Sequence, residues 1–131
     1  MASENAIQSA KRKLRAEMRA RIAALVPEDS RVWSGTAASK LYSRLAGAKR
    51  VMLYWPLGTA VRGAPVGEVD LRALISSLIG NGVEVTLPRT DWDSGVIEPR
   101  LVRQVPVDLA VGRFGVSEPL ARCPAPRQQP E

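Results

Sequence analysis

Between residues 51 and 87 the chain reads strand, helix, strand, and that order constrains the fold more than any other feature. Val51-Met52-Leu53-Tyr54-Trp55 is a short apolar run closed by Pro56, the pattern of a strand buried on both faces, as parallel strands usually are. After a loop over 57–67 that holds Gly58, Gly63, Pro65 and Gly67, apolar residues return at helical spacing. Leu71, Leu74, Ile75, Leu78 and Ile79 predict a helix over roughly 70–80, with Asp70 as its N-cap and Gly80-Asn81-Gly82 as its stop. Val83-Glu84-Val85-Thr86-Leu87 is a second strand, ended by Pro88. Such a crossover joins parallel strands and turns right-handed.

Two helices are expected before it. The first covers 4–25, with Ser3 as N-cap, Glu4 in its first turn, and Leu14, Met18, Ile22 and Leu25 as an apolar stripe. Lys11, Arg15 and Arg19 are spaced by four and share an adjacent basic face. The second starts at Pro27, a residue suited to a first helical turn, and runs over 27–46 with Gly47 at its C-terminal end. After the crossover, 90–95 reads as a turn and Val96–Val102 as an exposed strand containing Pro99. Residues 106–119, with Pro106, Gly112, Gly115 and Pro119, read as an ordered loop. The expected fold class is α/β: an open, mostly parallel sheet with flanking helices, Rossmann-like and three-layered. Parallel sheets bury both faces, which takes more strands than these. The sheet is therefore expected to be incomplete at the C-terminus. Residues 1–119 would form the N-terminal part of one domain, and 120–131, with Pro124, Pro126 and Pro130, a disordered Pro-rich tail.

Composition narrows the chemistry. None of the 131 residues is His, so a Ser-His-Asp or Cys-His catalytic unit and a His-based zinc site are excluded. The single Cys123 excludes an internal disulfide and a Cys-cluster metal site. No apolar run reaches the roughly 20 residues needed to cross a bilayer, and no signal-peptide core is present. A cytoplasmic setting without a membrane partner is expected. Residues 1–50 hold eleven basic and four acidic residues, against eight and nine in the remainder. A cationic first third suits a phosphate-bearing partner.

Five segments, in order, carry a more specific signal. They are Lys11-Arg12-Lys13-Leu14-Arg15 followed by Met18, then Lys49-Arg50-Val51-Met52-Leu53-Tyr54-Trp55-Pro56, then Glu68-Val69-Asp70. Leu87-Pro88-Arg89 comes next, and last Gly112-Arg113-Phe114-Gly115-Val116-Ser117-Glu118-Pro119. Together they resemble the 5-formyltetrahydrofolate cyclo-ligases, also called methenyltetrahydrofolate synthetases. The loop between Pro56 and Glu68 is several residues longer than usual in that family. The family's second part, with a Gly-rich loop and a Gly-Tyr-Tyr-Asp-like sequence that grips ATP phosphates and helps place Mg2+, has no counterpart after Pro119. The chain is thus expected to be roughly the first two-thirds of such an enzyme.

The resemblance implies an ATP-dependent C–N ligase that closes a ring in 5-formyltetrahydrofolate to give 5,10-methenyltetrahydrofolate. Its partners would be a reduced folate and ATP, with Mg2+ ligands outside this chain. The resemblance assigns ATP contact to Lys11, Arg12, Lys13, Leu14 and Arg15, and substrate contact to Trp55 and Glu68. Trp55 would pack on the flat pterin and Glu68 would accept from pterin N–H groups or from the formyl-bearing end, both near the carboxyl-end edge where open α/β sheets bind ligands. Arg89 would flank the same edge, facing the folate glutamate tail or ATP or serving as a plain surface residue, and Phe114 would offer an apolar contact. The alternative is a nucleic-acid-binding module using the basic helix 11–21. Against it, aromatic residues are not interleaved with the cations as stacking platforms require. A nucleotide-binding domain of another family is disfavoured by the lack of a GxGxxG or Walker loop.

Overall fold

The computed structural model describes residues 2–57 and 68–127. Two helices lead, α1 (Ala2–Ala23) and α2 (Pro27–Leu45), followed by β1 (Arg50–Met52), α3 (Arg72–Gly80), β2 (Glu84–Asp91) and β3 (Val96–Val102). A short hairpin of β4 (Leu109–Val111) and β5 (Ser117–Pro119) closes the order, with a 3-10 turn at Arg113–Gly115 between its strands. The expected loop over 57–67 lies outside the described residues except for Leu57.

The crossover forms, but its first strand is shorter and less buried than expected: β1 ends at Met52, and Met52 and Tyr54 are exposed. β1 and β2 are parallel neighbours, with Arg50, Val51 and Met52 opposite Glu84, Val85 and Thr86. On its other side β2 pairs antiparallel with β3, from Val85 opposite Val102 to Asp91 opposite Val96. The described sheet is therefore mixed, in the order β1-β2-β3, rather than mostly parallel. Pro88 does not end β2. The Thr86 carbonyl accepts from Leu53 N–H on the β1 side, and Thr90 N–H points the same way, to Glu118. Pro88 shares their parity, so its missing N–H removes no bond to β3. It sits directly opposite Pro99, where neither proline is asked to donate.

The core gathers where α3 meets the sheet. Leu74, Ile75 and Leu78 of α3 pack with Val51, Val83, Val85, Leu87 and Val102. Ile75 and Leu78 are completely buried, each stabilising by roughly 1.5–3 kcal/mol relative to exposure. α2 lies on α3 and reaches this cluster through Leu41, Tyr42 and Leu45. The N-cap of α3 is Leu71 rather than the expected Asp70; Asp70 stands one residue earlier, its Oδ1 accepting from Arg72 N–H at 3.1 Å.

Three expectations are corrected. Residues 106–119 are not a loop: β4 and β5 pair antiparallel, Leu109 opposite Pro119, and Gly112 N–H donates to the Val116 carbonyl at 2.8 Å. Residues 120–127 of the tail are ordered against the fold. Cys123 is buried in the core cluster and Leu101 N–H donates to the Pro124 carbonyl at 2.8 Å, covering the outer edge of β3; the rest of the tail lies outside the described residues. Helix α1 forms, with Ser3 inside it, but residues 3–24 are all exposed, and the stripe of Leu14, Met18 and Ile22 does not enter the core. Spacing announces a stripe; it does not supply the surface that covers it.

Candidate active-site cleft

Where β1 runs out, the chain continues through Trp55 beside the first turns of α3 and the β4–β5 hairpin. A cleft of about 510 Å³ lies there, lined by Trp55, Arg72, Ser76, Val105, Pro106, Leu109, Ala110, Val111 and Ser117. Its walls are mainly apolar, with one guanidinium and two hydroxyls, which is how small-molecule sites combine burial with a few orienting groups. Trp55 is half-buried and packs on the core cluster, so its ring is held by structure rather than free to swing.

Arg72 is fixed by its neighbour. Its Nε and Nη2 donate to Asp70 Oδ1 and Oδ2 at 2.9 and 2.7 Å, a two-point fork. Asp70 is tied in turn, its N–H donating at 2.9 Å to Oγ of the buried Ser34 on α2. The Arg72 hydrogen bond holds the Asp70 carboxyl below its ordinary range, against the opposing effect of burial. Asp70 and Arg72 therefore stay ionised together.

The hairpin wall is braced from outside the cleft. Asp108 accepts from the backbone N–H groups of Arg103 and Gln104, both at 2.9 Å, and from Arg122 at 3.1 Å. The two backbone bonds push its carboxyl down from the ordinary value. Glu118 accepts from Thr90 N–H at 3.2 Å and from Thr90 Oγ1 at 2.7 Å, which fastens β5 to β2. At the hairpin tip Phe114 is 86% exposed with φ +61°, its ring 5.8 Å from that of Trp92, and Arg113 stacks over the same indole at 4.8 Å.

The residues expected at a site are only partly gathered. Trp55 is in the cleft. Glu68 is not: its Oε2 accepts from Leu57 N–H at 2.7 Å, and it lines a separate hollow of about 270 Å³ with Leu25, Trp33, Ser34 and Val69. Tyr54 lies beside it, its hydroxyl donating to the Val69 carbonyl at 3.3 Å and its pKa raised by burial and then by the Glu68 charge. Lys11, Arg12, Lys13, Leu14 and Arg15 are exposed on α1 and line neither space. Arg89 stands opposite Glu98 in the β2–β3 ladder, outside the cleft lining. Sequence reasoning missed Arg72, Ser76 and Ser117. The signal for Arg72 was its place two residues after an Asp, which holds a guanidinium still. Among the described residues no three His, Cys, Asp or Glu side chains gather to hold a metal ion, and no helix is long and apolar enough to cross a membrane.

No family model and no curated protein matches the chain. Among solved structures it is similar to the 5,10-methenyltetrahydrofolate synthetase of Aquifex aeolicus, determined by NMR, with 30% sequence identity and a TM-score of 0.66. The resemblance to the cyclo-ligases is thereby shown. The match takes in 84% of this chain and 52% of the Aquifex chain, so the cyclo-ligase likeness spans about half the length of that protein. The architecture it supports is a mixed α/β fold, with three α-helices and small sheets among the described residues, like that of the cyclo-ligase.

Proposed function

We propose that the chain serves the ATP-dependent cyclisation of 5-formyltetrahydrofolate to 5,10-methenyltetrahydrofolate, with release of ADP and phosphate. The observation that carries this reading is the similarity in fold and sequence to the Aquifex aeolicus synthetase over 84% of the chain. In such a reaction ATP turns the formyl oxygen into a phosphate ester. A ring-side nitrogen of the same substrate then attacks the formyl carbon, and phosphate leaves. The nucleophile belongs to the substrate, so the protein's work is positioning and charge stabilisation. A chain without His, whose one Cys is buried in the core, is chemically adequate for that.

In this reading Trp55 packs on the pterin in the cleft, while Glu68, its carboxylate steadied by Leu57 N–H in the separate hollow, contacts the formyl-bearing end of the substrate rather than the ring face held by Trp55. Lys11, Arg12, Lys13, Leu14 and Arg15 contact ATP, with the Arg forks suited to phosphate oxygens and the Lys ammonium groups acting as point charges. Their exposure on α1 leaves them open to a soluble triphosphate. Mg2+ would accompany ATP; among the described residues no three His, Cys, Asp or Glu side chains gather to hold it. The same reading places the mixed sheet in an open, three-layer Rossmann-like arrangement, with residues 1–119 as part of a single cyclo-ligase domain.

Calorimetric titration tests it. Saturable binding of 5-formyltetrahydrofolate and of ATP is expected, and with both present with Mg2+ the near-ultraviolet absorbance of methenyltetrahydrofolate reports turnover. A chain that binds neither ligand contradicts the reading. One observation favours a second reading, a nucleic-acid-binding module: the cationic helix α1 is exposed along its length. Oligonucleotide binding that falls steeply with salt and ignores ATP would select it.

A further inference from the structure

We propose that Arg72 is the carboxylate anchor of the cleft, and that the molecule bound there is a flat ring system carrying a carboxylate. The proposal rests on the folate reading above, in which that carboxylate is on the glutamate end of the substrate. Three features of the site lead to it.

The first is commitment. A guanidinium has five N–H donors, and Asp70 takes two of them, through Nε and Nη2. Three remain, and two of them, one on Nη2 and one on Nη1, form the outer edge of a group whose side chain is 34% exposed and forms part of the cleft wall. That edge matches a carboxylate bidentately. The second is rigidity. Arg72 is held by Asp70, and Asp70 is held by Ser34 of α2 and by the backbone of α3. The donor edge is set before a ligand arrives, so little side-chain entropy is lost on binding. The third is charge. No acidic side chain is among the lining residues, and the Asp70–Arg72 pair is neutral as a whole. A neutral pair with free donors suits one of the two carboxylates of a glutamate end. It is a poor counter-charge for a triphosphate, which the cations of α1 match better. The apolar wall of Val105, Leu109 and Val111, together with the Trp55 indole, supplies contact for the ring body.

The test compares two probes, 5-formyltetrahydrofolate and 5-formyl-6-methyltetrahydropterin, which keeps the ring and lacks the carboxylate tail. Binding to the whole chain is measured by titration. Arg72→Gln is expected to weaken folate binding roughly ten- to a hundredfold, the range of hydrogen bonds to a charged group. It should leave affinity for the tail-less pterin within about twofold, a ratio that falls inside thermal energy. Arg72→Lys keeps the charge without the fork and is expected to fall between, and it carries the test if the Gln variant does not fold. Equal loss for both probes, no loss for either, or a loss of ATP binding instead overturns the assignment of Arg72. Failure of the unaltered chain to bind either probe overturns the folate reading itself, and this proposal with it.

Discussion

At the scale of single residues, fixed carboxylates do most of the positioning. Asp108 accepts two backbone N–H bonds and one from Arg122, and its folded pKa lies below the ordinary value of about 3.9. A carboxyl depressed in this way stabilises the fold fully above its unfolded pKa, and that contribution is lost as pH falls through the folded value. Asp108→Asn is therefore expected to cost about 1–3 kcal/mol at neutral pH, with a shallower loss of stability on acidification below about pH 4 than in the unaltered chain. Urea denaturation at a series of pH values reads both. Asp70 has the same sign through its Arg72 bond. A helix start near Asp70 was legible in the sequence because Asp70 precedes an apolar helical run, although the N-cap itself is Leu71. The bracing role of Asp108 was not, since its partners are backbone groups four and five residues earlier in a stretch with no periodicity.

At the scale of elements, the strand–helix–strand unit was readable because both of its periods are strong and its ends carry Pro, Asp and Gly. The β4–β5 hairpin was hidden, since each strand has three residues, too few to display alternation, and Gly112, Gly115 and Pro119 mask them. Its pairing is secured from elsewhere, by Glu118 on Thr90. Opposite outcomes are expected for two helices. Leu78 of α3 is completely buried, so Leu78→Ala should destabilise by about 2–5 kcal/mol in chemical denaturation. Leu14 of α1 is 59% exposed, so Leu14→Pro should reduce far-ultraviolet helical signal while leaving the denaturation midpoint of the core unchanged. A midpoint that drops with the helix signal would mean that α1 packs on the fold after all.

At the scale of the molecule, the fold divides into a packed part, residues 27–57 and 68–127 around α3 and the mixed sheet, and a cationic helix that projects without entering the core. Motif order along the chain was enough to indicate the cyclo-ligase likeness, while the separation of Trp55 from Glu68 into different hollows depended on three-dimensional packing that no spacing encodes. The division predicts separable defects. Lys11→Ala with Arg15→Ala should weaken ATP binding about tenfold or more and leave 5-formyltetrahydrofolate binding unaltered in parallel titrations; equal losses would remove the nucleotide role from α1. The central claim, that the Trp55 cleft receives the reduced folate, is tested most directly by fluorescence in a chain where Trp33 and Trp92 are replaced by Phe. Titration with 5-formyltetrahydrofolate is predicted to quench the remaining Trp55 emission to saturation, at the same ligand concentrations that calorimetry reports for binding. Binding by calorimetry with no change in Trp55 emission would contradict the account.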